Sequence, residues 1–332
     1  MIVNVPTAGD FTQIGSDLLN LAWSQVHELI SRLAEFDGDV SKSDEEKEKS
    51  VYELPGRETP AEKETRHREY WEASERDLGN ALTIAQQGIE FVLKGQVAAV
   101  SPYLLIDQDP KDWPKIGKDR NIDFGLFRTV DAIHLPRLCE AVSGKQVPIE
   151  IKEEYERLRG LRNRIIHSVS KLDLNAAEVF SIILRFHNFA FPKTSWFKAR
   201  AAYLEKTAHS TLYSADWVDF AVIQEAINLI NCLSNQECIN LLELDKRRRR
   251  YRCPICSHES ENYFGPPAYI CQFPSRAPKQ TQLKCLICAE PITVERRLCT
   301  SSGCQGDVIW PDDSICLTCG DTAQETDESA PV

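Results

Sequence analysis

The chain has 332 residues, 42% of them hydrophobic, and a formal net charge of −11 at pH 7. That length suggests two domains, or one large domain with an appendage, and the negative balance argues against a protein that coats nucleic acid by bulk electrostatics while leaving room for a local basic site. No run of about 18 apolar residues occurs, so no membrane span and no membrane partner are expected; Met1 to Asp10 lack a basic stretch followed by an apolar core, which predicts no secretory signal and a cytoplasmic protein.

Phe11 to Phe36 reads as an amphipathic helix with Ile14, Leu18, Leu21, Ala22, Val26, Leu29, Ile30 and Leu33 on its apolar side. Asp37 to Pro60, rich in Asp, Glu, Lys and Ser, reads as a solvated linker, so residues 1–60 form an N-terminal helix and charged linker. A long helical region then runs from Ala61 to about Val100, with Trp71, Leu78, Leu82, Ala85, Ile89, Val92 and Val97 as its core positions, and Ser101-Pro102 ends it. Pro110, Pro114 and Gly117 make 107–121 a loop, and helix returns over 124–141 and from 149 to about 170.

The helix from 149 carries the most informative stretch, Arg162-Asn163-Arg164-Ile165-Ile166-His167. Ile151, Tyr155, Leu158, Ile165 and Val169 recur at helical spacing, and Arg162 occupies a position that would continue this stripe. A guanidinium there needs a partner, usually an anion or another chain. Asn163 and His167 lie four residues apart and share a helix face, with Arg162 on the neighbouring row. The three together supply a permanent cation, an amide and an imidazole, a set suited to holding a phosphodiester and moving protons around it.

Further helices are predicted over Asn175–Phe189, Lys198–Ala208 and Ala215–Leu244, the first two separated by a turn at Phe191-Pro192. No run of strand alternation stands out up to residue 245, so 61–245 reads as an all-α domain. Composition then shifts sharply at Lys246-Arg247-Arg248-Arg249-Arg250, with Tyr251 and Arg252 following. This 246–252 basic linker is either a solvated hinge or a phosphate-binding strip.

Twelve cysteines are present, nine of them between Cys253 and Cys319. In a chain without an export signal, cysteines paired at short spacing read as metal ligands before they read as disulfides. Cys253, Cys256, Cys285 and Cys288 form one tetrad, and Cys299, Cys304, Cys316 and Cys319 a second. Residues 253–320 are therefore a small β-rich module stabilised by two structural zinc ions, one per four-cysteine site. Sequential pairing of the tetrads is the expectation, with an interleaved arrangement as the alternative. Four thiolates leave no open coordination position, which argues against catalysis by this metal. Cys271 and His258 are read as core or surface residues, and Cys139, Cys232 and Cys238 as small buried hydrophobes. Tyr263, Phe264, Tyr269 and Phe273 are read as core of the module in preference to base-stacking platforms. Residues 321–332 form a disordered acidic tail.

The Arg-Asn-three-His string resembles the signature of the HEPN superfamily. Leu82-Thr83-Ile84-Ala85-Gln86-Gln87-Gly88-Ile89-Glu90-Phe91 followed by Lys94 looks like an early helix of that fold. Phe127-Arg128-Thr129-Val130-Asp131-Ala132-Ile133 and Leu135-Pro136-Arg137-Leu138 look like the segment before the motif helix. The resemblance covers roughly residues 72–190. It implies a helical bundle and metal-independent endoribonuclease activity, in which a ribose 2′-hydroxyl attacks the adjacent phosphate and leaves 2′,3′-cyclic phosphate and 5′-hydroxyl ends. It also implies catalytic roles for Arg162, Asn163 and His167, a homodimer that juxtaposes two motifs, RNA as substrate, and a toxin or anti-phage role with an antitoxin or defence-system partner. The competing readings are a non-catalytic HEPN protein that binds RNA or nucleotide, and a zinc-ribbon adaptor whose helices are an interaction scaffold.

Overall fold

A computed structural model describes residues 1–40, 58–115, 121–167, 173–213, 217–261, 267–277 and 279–323. The chain divides into two compact units, Met1–Ala190 and Phe191–Val332. The first is helical and the second joins further helices to small antiparallel sheets that carry the cysteines. Among the described residues no helix is long and apolar enough to cross a membrane.

The first unit contains β1 (Ile2–Val3), α1 (Ala8–Val40), α2 (Pro60–Ala73), α3 (Glu75–Ala98), β2 (Ile122–Asp123), α4 (Leu135–Ser143), α5 (Ile149–His167) and α6 (Ala176–Ala190). Helix α1 starts at a reciprocal cap: the Asp10 amide donates to Thr7 Oγ1 at 3.2 Å, and the Thr7 amide donates to the Asp10 carboxylate at 2.7 Å. The helix extends past Phe36 into the stretch read as linker, and Asp37 there meets Lys63, Arg66 and His67 of α2. α3 is the hub of this unit, packing against α1, α2, α4, α5 and α6.

Contact between α1 and α3 is set by glycine. A Cβ at Gly15 would lie 2.7 Å from the Gly88 carbonyl oxygen, and one at Gly88 would lie 2.9 Å from the Gly15 carbonyl oxygen. Two backbones can approach this closely only where neither carries a side chain. The contact line therefore centres on Gly15, and the buried face of α1 is Phe11, Leu19, Ala22, Trp23, Val26 and Leu29. This corrects the predicted stripe: Ile14 and Leu21 are exposed, whereas Leu19 and Trp23 are buried. Trp23 packs on Phe180 of α6 with ring centroids 4.3 Å apart, which ties α6 to the same core.

The predicted 61–100 helix is two helices that meet at Ser74, whose hydroxyl donates to the Tyr70 carbonyl at 2.8 Å. α2 buries none of its residues, and Trp71, expected in the core, is half-buried with its ring edge-on to Tyr70. The positions assigned to α3 from Leu78 to Val97 are buried as expected. The predicted 124–141 helix is instead two single 3₁₀ turns at Phe124–Leu126 and Ala132–His134, followed by α4. Pro136 explains this, since proline fits the first turn of a helix and not its interior. β1 and β2 form a two-residue parallel pair in a stretch where no strand alternation had been legible.

The second unit opens with α7 (Trp196–Leu204), α8 (Ala208–Tyr213), α9 (Trp217–Cys232) and α10 (Asn235–Leu242). The predicted 215–244 helix breaks at Ser234, which caps α10: the Glu237 amide donates to the Ser234 hydroxyl, and the Ser234 amide donates to the Glu237 carboxylate at 2.8 Å. Arg200 of α7 and Glu225 of α9 form a buried bidentate pair, with Nη2 to Oε1 at 2.8 Å and Nε to Oε2 at 2.9 Å. Removing one partner of such a pair leaves an uncompensated buried charge, so the other is held in place.

The module follows as β3 (Tyr251–Arg252), α11 (Pro254–Glu261), β4 (Tyr269–Gln272), β5 (Gln282–Cys285), β6 (Pro291–Thr293), β7 (Ile309–Trp310) and β8 (Ile315–Cys316). β3, β4, β5 and β6 form an antiparallel sheet in that order, and β7 pairs with β8. α11 packs against α9, so helices read from sequence as part of a 61–245 domain share a compact unit with the cysteine module. Composition changes at residue 246 because charge changes there, whereas the compact units divide where few contacts cross, between 190 and 191. Within the stretch read as a disordered tail, Ala323 is buried and its amide donates to the Ser314 carbonyl at 2.7 Å; 324–332 lie outside the described residues.

Gly88→Ala is predicted to cost about 1–3 kcal/mol of unfolding free energy, because the new Cβ overpacks a backbone contact. Gly160→Ala in α5, with nothing within 4 Å of its Cβ position, is predicted to gain up to about 1 kcal/mol from helix propensity. Urea denaturation of both variants checks the contrast.

Candidate functional site: two tetracysteine clusters and a basic helix end

The eight predicted ligand cysteines converge as two sequential tetrads, Cys253/Cys256/Cys285/Cys288 and Cys299/Cys304/Cys316/Cys319, in each of which the four sulfurs lie within 4.8 Å of one another. The interleaved alternative is not formed. Cys253 Sγ and Cys288 Sγ are 3.9 Å apart, Cys256 and Cys285 3.8 Å, Cys299 and Cys319 3.8 Å, and Cys304 and Cys316 3.9 Å. A tetrahedron with metal–sulfur bonds of about 2.3 Å has edges of about 3.8 Å, so the cradles match a tetrahedral thiolate site. A disulfide would need sulfurs about 2.05 Å apart; all twelve cysteines are free. Each tetrad can hold one zinc ion.

In the first tetrad, Cys253 and Cys256 lie at the start of α11, Cys285 ends β5 and Cys288 follows in a tight turn. The Cys256 amide donates to Cys253 Sγ and the Ile287 amide to Cys285 Sγ, both at 3.4 Å, which aims the two sulfurs at a common point. Hydrogen bonding from Cys256, and then from Cys271 and Cys285, holds the Cys253 thiol down to about 4. The same contact with Cys253 pushes Cys256 well up. Without a cation, four sulfurs this close share protons unequally; a bound divalent cation lets all four be thiolates.

The second tetrad is built on β7, β8 and the turns beside them. The Ser301 amide donates to Cys299 Sγ at 3.4 Å and the Gly306 amide to Cys304 Sγ at 3.3 Å. Gly306 has to be glycine, because a Cβ there would lie 2.8 Å from Cys316 Sγ and 2.7 Å from Thr318. Among the described residues, Ile309 and Ala323 join the cysteines in the buried cluster around this site. Its Cys316–Cys319 turn is fastened to the first sheet: the Arg252 amide donates to the Leu317 carbonyl at 2.9 Å and the Tyr269 hydroxyl to the Thr318 carbonyl at 3.0 Å.

The remaining cysteines behave as expected of small buried groups. Burial pushes Cys139 up to about 12 and Cys232 up to about 11, and raises Cys238, so none is a reactive thiolate. Cys271 is fully buried and outside both tetrads, in keeping with its reading as a core residue and not a ligand. The side chain of His258 and residues Tyr263 and Phe264 lie outside the described residues. Tyr269 and Phe273 serve the module's interior, Tyr269 through its bond to Thr318 and Phe273 edge-on to Tyr251 at 5.4 Å.

The basic run 246–252 is neither a free hinge nor wholly a surface strip. Lys246 Nζ donates to the Leu233 carbonyl at 2.8 Å, and Arg248 Nη2 to the Phe273 carbonyl at 2.6 Å. Arg249 sits 5.7 Å over the Tyr251 ring. Arg252 Nη1 donates to the Cys319 carbonyl at 3.4 Å. Arg247 stands exposed.

At the end of α5, Arg162, Asn163 and Arg164 are exposed, as is Ile166. Leu161, at 8% exposure, holds the buried place after Tyr155 and Leu158. Arg162 therefore stands beside the apolar stripe and not on it, because the stripe steps by three residues from Leu158 to Leu161. Upstream arginines on the same helix are neutralised: Arg157 by Glu154 at 2.7 Å and by Glu178, and Arg159 by Glu156 at 2.8 Å. Among the described residues no carboxylate pairs with Arg162 or Arg164. His167 is the last residue of α5, and its side chain, with residues 168–172, lies outside the described residues.

No family model, no curated protein and no solved structure matches this chain.

Ala289, directly after Cys288, has a φ of 56°. A left-handed residue with a Cβ costs about 1–2 kcal/mol that glycine avoids. Ala289→Gly is predicted to raise the thermal stability of the metal-loaded protein without changing its metal content, checked by calorimetry and metal analysis.

Proposed function

We propose that the chain is a metal-independent endoribonuclease of the HEPN kind whose C-terminal module is held by two structural zinc ions. The observation that carries this reading is the contrast along α5. Arg157 and Arg159 are spent on carboxylates, whereas Arg162 and Arg164 flank Asn163 on an exposed surface with no carboxylate partner among the described residues. Two unneutralised guanidinium groups beside an amide suit a phosphodiester. The first unit also encloses the whole stretch, roughly 72–190, that resembles HEPN proteins.

In this reading Arg162 binds the scissile phosphate and stabilises charge growing on its oxygens. His167 moves the proton, since an imidazole titrates near neutral pH. The ribose 2′-oxygen bonds to phosphorus as its proton leaves to a base, the bond from phosphorus to the 5′-oxygen breaks, and that oxygen gains a proton. Asn163 orients His167 or a phosphate oxygen. One motif histidine per chain is few for paired acid and base roles, so the active unit is a homodimer with both motifs in one cleft. Exposed Ile166, one turn from Arg162, supplies an apolar contact for that interface. A toxin or anti-phage role, with an antitoxin or defence-system partner, follows from the resemblance. The zinc ions supply folding energy and no chemistry.

A second reading is a non-catalytic RNA-binding or adaptor protein. It is favoured by the placement of Arg162 and Arg164 in the last turns of α5, where cations complement the helix dipole without any ligand.

Total cellular RNA incubated with purified protein and brief EDTA treatment tests the activity. Cleavage is expected to persist and to leave 2′,3′-cyclic phosphates. His167→Ala is expected to abolish cleavage while sparing RNA binding, and Arg162→Ala to weaken both. Cleavage that needs added magnesium and yields 5′-phosphates would overturn the mechanism, and an inactive wild type that still binds RNA would favour the second reading.

Metal analysis of protein purified without added zinc is expected to return close to two zinc ions per chain. Iron in place of zinc, or disulfides in place of thiolates, would remove the assignment.

A further inference from the structure

The arginines of the basic run sort into two sets. Arg248 and Arg252 turn inward, to the Phe273 carbonyl at 2.6 Å and the Cys319 carbonyl at 3.4 Å. Arg247 and Arg249 are exposed and Arg250 is half-buried, and among the described residues none of the three side chains meets a carboxylate or donates a hydrogen bond. The other arginines of the second unit are all matched: Arg200 by Glu225, Arg276 by Asp245, Arg296 by Asp307 and Arg297 by Glu295. Asp245 and Glu243, the carboxylates that immediately precede the run, are taken by Arg276 at 3.2 Å and by Lys284. A chain of net charge −11 has acids in excess, yet the nearby ones are directed to other partners.

The backbone beneath these three arginines is fixed. The Arg248 amide donates to the Asp245 carbonyl at 3.0 Å and closes a turn. Buried Gln272 of β4 clamps that turn, its Nε2 donating to the Asp245 carbonyl at 2.8 Å and its Oε1 accepting from the Asp245 amide at 2.9 Å. The turn leads directly into β3, which pairs with β4. The Arg249 guanidinium sits 5.7 Å over the Tyr251 ring, and that ring is edge-on to Phe273 at 5.4 Å. A cation–π contact seats a guanidinium without using an N–H donor, so Arg249 is held in place with its donors open to a ligand.

Three unneutralised guanidinium groups on a clamped turn suit an anion that carries several charges in a row. Guanidinium donors match pairs of phosphate oxygens, and a nucleic-acid strand brings one such phosphate per nucleotide. We infer that Arg247, Arg249 and Arg250 bind the phosphodiester backbone of single-stranded RNA. The contact adds affinity and holds the strand on the module, without reading its bases or cutting it. The choice of RNA as the phosphate polymer rests on the ribonuclease reading; the three-arginine anion site does not.

Binding of full-length protein to a fluorescent 2′-O-methylated RNA strand, followed by anisotropy across a salt series, tests this. Such a strand has no free 2′-hydroxyl to attack, so it stays intact whether or not the protein is a nuclease. The combined Arg247→Gln, Arg249→Gln and Arg250→Gln variant should bind roughly ten- to a hundredfold more weakly at about 0.1–0.2 M salt, with its logarithmic salt slope reduced by about 2. Arg247→Gln alone, which removes an exposed side chain, should weaken binding about fivefold at about 0.1 M salt. A matched variant with Arg276→Gln, Lys284→Gln and Arg297→Gln changes net charge equally through residues already paired, and should bind close to wild type. Wild-type affinity and slope in Arg247→Gln and in the combined variant would overturn the inference. Equal losses in the matched variant would do so as well, by assigning the effect to bulk charge. Equal displacement of the strand by polyglutamate would reassign the site to an acidic protein segment. A wild type that binds the methylated strand through these arginines yet leaves unmethylated RNA uncut would support the site and overturn the ribonuclease reading instead.

Discussion

The convergence of sulfur atoms at two points governs the C-terminal half of this protein. Short strands of two to four residues and a buried cluster of a few side chains do not hold a fold unaided. Four thiols at the edge lengths of a metal–sulfur tetrahedron supply the missing cross-link, and they do so twice in succession along the chain. The two centres are not mechanically independent, because the Cys316–Cys319 turn hangs on the first sheet through Arg252 and Tyr269. Arg252, the last residue of the basic run, thus serves the second centre through both its amide and its guanidinium. Much of the positive charge that reads from sequence as a surface strip is spent on backbone carbonyls within the module.

The helical unit solves a different problem. Its hub helix α3 meets five other helices, and it can do so because Gly88 and Gly15 let α1 approach along the backbone itself. That contact selects which residues of α1 are buried, and with them the seat of Trp23 against Phe180. Helix α5 is one of those packed on α3; it buries Tyr155, Leu158 and Leu161 and leaves Arg162, Asn163 and Arg164 exposed. Exposure of Arg162 and Asn163 is thus a consequence of where α3 places α5.

Charge along α5 changes character over a short distance. Upstream arginines are matched by Glu154, Glu156 and Glu178, which suits a stabilised surface. The downstream pair, Arg162 and Arg164, is exposed and has no carboxylate partner among the described residues. An interaction surface for phosphate and a favourable helix end use the same residues, so the distinction between them belongs to chemistry at His167.

Residue order alone was enough to pick out the eight cysteines that converge, because cysteine spacing encodes a local turn that brings sulfurs together. It was enough, too, for the helical character of the first three-quarters and the buried face of α3, since periodicity reports burial when a helix is surrounded on several sides. Packing in three dimensions chose which cysteines share a centre, because a β-sheet brings Cys285 to Cys256 across many residues. It put Ile14 outside the core and Leu19 within it, because a close glycine contact, invisible to hydrophobic pattern, sets the rotation of α1. It also left Arg162 in solvent beside the stripe: a helix read alone has several faces of similar hydrophobicity, and only the neighbour that packs against it chooses one.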